Sequence, residues 1–570
     1  MRPQPWKNLA DPTTLWIDYK SGKGMMSNGK PVVAKIGPRR KNPNLVDMLD
    51  TAMAEEARRI MLTGKVPMAD RGQRHWLLVQ TPGWKALGHW MGKPVTGRFE
   101  HINTGLRVEV RTAEEWFGDT PLTPTLARDS WNALKVMIDE AFDGAPIALS
   151  PAGTGTNLWA FSLPKNLDPV HLTEDIAEEI HRTSGQHHLE HLVAGPSFST
   201  HEDCRPLVDP QTTPTADKFA YVDARFMYAS LCRELGTGPG VRLNRAASWE
   251  LLENEPYARG RLLIKFTVPH NWNHVGIFGV QHQKADDGWY YPNRPGATGE
   301  TWADMAEIHV ARQNGWLIEP YEGIKFEGHS EKSRGDGLTT ARPLDTFAKR
   351  IIRAREWVQN DAEINPLVRA AVSAALRAIL IQTIGAFSSR GRAKTVVTED
   401  VRNVPAAYQA EVRRQGKLFV YKQHQVMNER SYQFYHPEYS AQIWARGRAR
   451  VLSSPTSDRS VKGGALSVDP STLLGINGDA IYTTTLPMWS LPTASGGLDD
   501  GRVGRMRLQG YLEGQYKIPV TLDERNRLRQ KSAAAGVDAA LDRTIHESEF
   551  EPSDDESFYA ASDEPEAEVV

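Results

Sequence analysis

Three observations predict an α+β protein of several domains. The 570 residues are 40% hydrophobic and 24% charged, enough to bury about two to four separate cores. Short β-type runs alternate along the chain with segments whose apolar residues recur at three and four, the spacing of one buried helix face. The two strongest helical segments sit together past the middle, with strand-like runs on both sides.

In order, residues 1–145 mix β-type runs (HWLLVQT, LRVEV) with a helical stretch, NLVDMLDTAMAEEARRIMLTG, and read as an α+β module. LSPAGTGTNLWAFSLP (149–164) reads as a Gly/Thr-rich loop. It lacks both the Gly-Lys-Ser/Thr ending and the GxGxxG pattern of a phosphate cradle. A helix-like stretch then reaches about residue 191. In FAYVDARFMYASLCREL a β run ends at Asp223 and passes into helical spacing at Phe226, Met227, Leu231 and Leu235. Between residues 260 and 326, RLLIKFTVP and HVGIFGVQ precede a helix-like TWADMAEIHVARQNGW and a further strand, which reads as antiparallel sheet of the same domain. A helix from about 343 to 359 carries Lys349, Arg350, Arg353 and Arg355. The next, PLVRAAVSAALRAILIQTIGAF, has Pro366 at its start and Gly385 near its end. SAQIWARGRARVLSS is helical, LLGINGDAIYTTTL places an Asn-Gly-Asp turn between two β-rich runs, and GRVGRMRLQGYLEGQY alternates like a strand.

Composition narrows the function classes. No run of about 18 apolar residues and no charged-then-apolar leader occurs, so a cytoplasmic protein without a membrane span or secretory signal is expected. Cys204 and Cys232 are too few for a disulfide framework and read as buried reduced thiols. From Glu547 onward there are ten acidic residues and no basic one, so the net charge of −2 becomes +8 without that tail. The body is basic enough to track a phosphate backbone, and the tail reads as a solvated terminus. HRTSGQHHLEH sets His187 and His191 four apart with Glu190 beside them, but a polar helix face explains this better than a metal site without a third ligand. THEDC (200–204) reads as structural, and no G-x-S-x-G elbow supports a hydrolase.

The order of motifs resembles the B-type DNA polymerases, most closely the small phage and plasmid branch with protein-primed members. The family's D-x-x-S-L-Y-P-S is met by Asp223-Ala-Arg-Phe-Met-Tyr228-Ala-Ser230. Its K-x-x-x-N-S-x-Y-G is met by Arg377 to Gly385, with Ile381 and Ile384 replacing Asn and Tyr. Its Y-x-D-T-D-S is met by INGDAIY, with Asn477 for the first Asp and Asp479 for the second. The resemblance spans roughly residues 146–530, and no single motif is intact.

It implies a right-hand architecture with a four-or-so-stranded antiparallel palm sheet covered by helices on one face. The N-terminal module is 1–145, a connecting region 146–195, palm 196–340 and 396–500, fingers 341–395, thumb 501–545 and acidic tail 546–570. The implied activity is template-directed DNA synthesis in replication of a phage or plasmid genome inside a bacterial host. Nucleotidyl transfer uses two hard cations about 4 Å apart, here Mg²⁺ or Mn²⁺, with Asp223 and Asp479 as catalytic ligands. The carbonyl of Ala224 and the side chain of Asn477 complete the metal set. Phe226, Met227, Tyr228, Arg369, Arg377 and Gly385 are expected at the nucleotide, with Tyr228 excluding a 2′ hydroxyl and Arg377 neutralising the triphosphate. Arg390, Arg392, Lys394, Arg446, Arg448, Arg450 and Arg507 are expected at the DNA. Partners are primer-template DNA and deoxynucleoside triphosphates, with a terminal protein or other replication proteins as further candidates. Proofreading members open with D-x-E, and no Asp before Asp223 is followed two residues later by Glu; Asp18 has Lys20 there. Proofreading is therefore expected to be absent. The alternative is a polymerase-derived DNA-binding or replication accessory protein without catalysis, which the departures at Asn477, Ile381 and Ile384 suggest.

Overall fold

The structure is a computed structural model. It describes residues 2–537 and 541, apart from 38–39, 68–80, 90–94, 166, 187–189, 193–200, 234, 283–287, 327–329, 335–336, 392–393 and 424–426. The HWLLVQT run up to residue 80, His187, Arg392 and the acidic tail lie outside the described residues. The chain is α+β and divides into two compact units, one of residues 3–165 and 346–386, the other of 1–2, 166–345 and 387–570.

The unit that holds the N-terminal module is built on a seven-stranded mixed sheet. Its order is Pro31–Val33, Lys23–Met26, Thr14–Asp18, Arg59–Thr63, Arg107–Thr112, Gly97–His101, Trp84–His89. Thr14–Asp18, Arg59–Thr63 and Arg107–Thr112 run parallel and the other neighbours antiparallel. Arg59–Thr63 was expected to continue a helix. The helix in fact ends at Ala54, Glu56 takes a positive φ of 53°, and RIMLT becomes a fully buried strand. A strand covered on both faces shows no alternation, so its apolar run looks helical. Helix Pro124–Ala141 brings Trp131 against Trp16 and Trp116 (6.1 and 4.8 Å between centroids).

The Gly/Thr-rich stretch is a helix, Pro151–Ser162, not a loop. The Ser150 side chain accepts from Gly153 N–H and Pro151 stands in the first turn. Gly155 explains the unusual composition: a Cβ there would lie 1.5 Å from Thr383 Oγ1 and 2.8 Å from the Ile379 carbonyl of helix Pro366–Phe387. The glycine therefore sits where the two helices pack backbone against side chain. Helix Pro366–Phe387 has the expected bounds, and helix Asp345–Asn360 precedes it. By length and composition the 22-residue helix is apolar enough to cross a membrane, although half of its apolar window is buried in the folded chain.

In the other unit, five strands form an antiparallel sheet in the order Met506–Lys517, Thr215–Ala224, Ala480–Thr483, Leu473–Asn477, Glu190–Leu192. Two of these were not expected there. Residues 506–517, read as part of a thumb, form an edge strand. Glu190–Leu192, read as helix, forms the other edge because the preceding helix stops at Thr183. His191 therefore lies on a strand rather than a helix. Helix Leu522–Ala535 packs on the sheet so closely that a Cβ at Gly510 would meet the Ser532 and Ala533 backbone at 2.5–2.6 Å. A separate four-stranded antiparallel sheet is formed by Val241–Leu243, Leu317–Lys325, Gly260–Thr267 and Thr298–Asp304. TWAD is thus the end of a strand, and Asp304 caps helix Met305–Gln313 through a capping box with Glu307. Cys204 and Cys232 are buried and free, and burial pushes their thiols up to about 11 and about 12.

Candidate active site

Strand pairing across the five-stranded sheet sets one lateral row of side chains. Arg507 pairs with Asp223, Asp223 with Ala480, Ala480 with Asn477, and Asn477 with Glu190. Directly opposed residues share a face, so a cation and three polar groups line one edge of one face. Asp479 is the second central residue of the tight hairpin turn between Asn477 and Ala480. Only the first central residue, Gly478, has positive φ (63°), as a type II′ turn requires. The Asp479 carbonyl accepts from Ala224 N–H at 3.1 Å, which ties the turn to the end of the neighbouring strand. Asp223 and Asp479 are each 8% exposed.

The two carboxylates act on the same neighbour. Burial, then the charge of Asp223, and more weakly that of Asp479, push the Tyr221 phenol well above its ordinary pKa. Tyr221 stacks on Tyr482 at 5.6 Å. Arg525 lies over the Tyr482 ring at 5.1 Å and Arg529 over Tyr221 at 6.0 Å. Arg525 is fully buried and reaches Glu190 Oε1 at 3.5 Å, while Asn477 Nδ2 donates to the same oxygen at 3.2 Å. Burial and Arg225 hold the Arg507 guanidinium below its ordinary pKa, against the pull of Asp223 and Asp499. Arg507 was expected at the DNA, whereas Tyr221, Tyr482, Arg525 and Arg529 were not picked out from sequence. Tyr221 two residues before Asp223, and Arg525 and Arg529 one helical turn apart, are the signals that could have found them.

Past Asp223 the backbone turns sharply. Phe226 adopts left-handed dihedrals (φ 51°, ψ 43°) at the start of a five-residue helix, Met227–Leu231, a conformation rare for a bulky side chain. The loop from Leu498 onward clamps this turn. Arg225 N–H donates to the Arg505 carbonyl (2.7 Å), Gly504 N–H to the Arg225 carbonyl (2.6 Å), and the Arg225 guanidinium to Asp499 (2.8 Å). Met227 is buried. Tyr228 is half-buried, and its ring lies 3.5 Å from where a Cβ on Gly447 would be.

The remaining sequence-predicted residues are spread more widely. Arg369, Arg377 and Gly385 lie on helix Pro366–Phe387, which belongs to the other unit. Arg377 is exposed there. Arg369 is spent on its own loop, donating to the Asp361 carbonyl at 2.5 Å and to that of Ile364. Arg448, expected at a phosphate, is buried and binds Glu307 through Nε (2.7 Å) and Nη2 (2.9 Å). Of WARGRAR, then, Arg448 faces inward because it falls on the apolar side of its helix, while Arg446 and Arg450 line a cavity. Arg390 pairs with Glu178 and Tyr435. Lys394 begins strand Lys394–Thr398, and Arg392 is outside the described residues. Among the described residues no group of three or more His, Cys, Asp or Glu is arranged to hold a metal.

The fold is similar to that of Phi29 DNA polymerase. Its complex with single-stranded DNA gives a TM-score of 0.52 at 10% identity, over 89% of this chain and 85% of that one. The post-translocation binary complex with primer-template DNA gives 0.51 at 10% identity with the same coverage. The orthorhombic crystal form gives 0.50 at 11% identity, over 89% and 84%. No family model matches the sequence, and no curated protein matches it.

Proposed function

We propose that the chain is a DNA-directed DNA polymerase that extends a primer 3′ hydroxyl without proofreading, in replication of a phage or plasmid genome. The observation that carries this reading is the tie between the Asp479 turn and the Asp223 strand end, which brings two nearly buried carboxylates to one edge of one sheet. The fold likeness supports it, and the structures it was measured against hold single-stranded and primer-template DNA.

The donor set suits a hard divalent cation, because carboxylate and carbonyl oxygens are what Mg²⁺ prefers. Asp223 and Asp479 would hold it, with the Ala224 carbonyl as a further oxygen. When bound, paired Mg²⁺ or Mn²⁺ ions activate the primer hydroxyl and stabilise charge on the triphosphate. Asn477 cannot add a charge, but its Nδ2 donates to Glu190, which orients the side chain and leaves Oδ1 as a further oxygen for the cation. Arg507 opposes Asp223 and partly offsets its charge. Tyr228 would lie against the incoming sugar and select deoxynucleotides, and by the sequence resemblance Arg377 would meet the triphosphate. The N-terminal sheet, with Lys20 where D-x-E would need Glu, supplies no proofreading in this reading.

The test is extension of a labelled primer on a template with Mg²⁺ and the four deoxynucleoside triphosphates, alongside a 3′-mismatched primer without nucleotides. Extension without shortening of the mismatched primer is expected. A protein that binds the DNA tightly and extends nothing would make it the accessory protein of the alternative reading.

A further inference from the structure

Arg525 is buried with less compensation than a guanidinium needs. Its side chain is 1% exposed, and among the described residues its Nε and Nη1 atoms have no hydrogen-bond partner. It touches the Tyr482 ring, 5.1 Å away, and Glu190 Oε1, 3.5 Å from Nη2. An arginine keeps its charge in a protein interior, and a buried ion pair is weak evidence for stability. What this pair does achieve is to hold Glu190, whose side chain is 41% exposed, against the sheet. Glu190 and Asn477 oppose each other on neighbouring strands, and Asn477 Nδ2 donates at 3.2 Å to the same Oε1 that Arg525 reaches. An ionised carboxylate accepts and does not donate, so Glu190 decides which way round the Asn477 amide stands. The reversed amide would offer a cation two N–H groups in place of an oxygen.

We infer that Arg525 is a positioning residue of the candidate metal site, an inference that rests on the reading of Asp223 and Asp479 as cation ligands. It acts through two side chains: the guanidinium fixes Glu190, and Glu190 fixes the Asn477 amide with Oδ1 left for the cation. Helix Leu522–Ala535, which carries Arg525, thereby sets the hairpin of the sheet it covers. The sign of the effect separates this role from simple electrostatics. By Coulomb's law alone, removing the positive charge of Arg525 tightens a nearby cation, whereas removing a positioning residue loosens it. Groups that hold a metal's ligands in place are typically worth about 10–100-fold in metal affinity.

Mn²⁺ is titrated into the full-length protein and the free ion is read by electron paramagnetic resonance; the binding lost in Asp479→Asn defines the ion held at the site. Arg525→Met is expected to weaken that ion by about ten-fold and to add nothing in an Asn477→Ala background, because the two residues act in series. Affinity that is unchanged or tighter in Arg525→Met, or an equal further loss in the Asn477→Ala background, overturns the inference and leaves the reading of the aspartates standing. Mn²⁺ binding that is unchanged in Asp479→Asn overturns both. Should Arg525→Met fail to fold, Glu190→Gln decides by the same comparison. It is expected to weaken the ion by about ten-fold with Asn477 present and to leave it unchanged with Asn477→Ala, and any other pattern overturns the inference.

Discussion

Arg448 and its helix neighbours show what a single side chain can and cannot announce. Arg446, Arg448 and Arg450 have the same chemistry in sequence, yet Arg448 is buried on Glu307 while the other two line a cavity. Removing one partner of a buried ion pair strands the other charge. Arg448→Met is therefore expected to cost about 3–5 kcal/mol of stability, read by denaturant unfolding, whereas a phosphate-contacting arginine would lower DNA affinity and leave stability alone. Asp304 gives the pH dependence of the same region. Burial raises its pKa from 3.8 to about 6, so the folded state keeps a proton that the unfolded state has released, and stability falls as pH rises from about 4 to about 6. Asp304→Asn keeps the helix cap and removes the titration, so its stability is expected to vary less over that window. Asp223 and Asp479 could be chosen from sequence only through the order of the motifs that hold them, because an aspartate at a strand end or in a hairpin turn is common on its own. Tyr221, Tyr482 and Arg525 could not, because burial and ring stacking depend on partners far along the chain.

Helices and strands were legible where their periodicity stood alone. Pro366–Phe387 has apolar residues, an opening proline and a closing glycine that agree, and its bounds match the structure. RIMLT and PAGTGTNLWAFS were misread because the reason for each residue lies in another element, a covering layer in one case and Thr383 in the other. Gly155 converts this into a prediction. A valine there would push its Cβ into Thr383 and the Ile379 carbonyl, and overpacking of this kind costs about 1–3 kcal/mol. Gly155→Val is expected to lower the midpoint of the thermal transition of the unit that holds it by several degrees, about 2–4 °C for each kcal/mol, while Gly391→Val, with nothing within 4 Å of its Cβ, tests only the strain of its positive φ.

At the scale of the whole chain, the candidate site is a product of register. Arg507, Asp223, Ala480, Asn477 and Glu190 span more than 300 residues of sequence and fall in one row only because five strands pair in one order. Motif order hinted at the middle of that row; Met506–Lys517 was legible as a strand but not as its edge, and Glu190–Leu192 was not legible as a strand, since pairing partners leave no local mark. Charge is the other property of the whole. Deleting residues 547–570 takes the net charge from −2 to +8, and is expected to tighten non-specific DNA binding at low salt, with the gain shrinking as salt rises. The central claim is that Asp223 and Asp479 together run nucleotidyl transfer. It is tested most directly by single-turnover primer extension in Asp223→Asn and Asp479→Asn, with DNA affinity measured on the same preparations. The account predicts a loss of about a thousand-fold in rate for each variant, about 4 kcal/mol, with DNA binding kept within a few-fold. Extension that continues at the wild-type rate in either variant would contradict it.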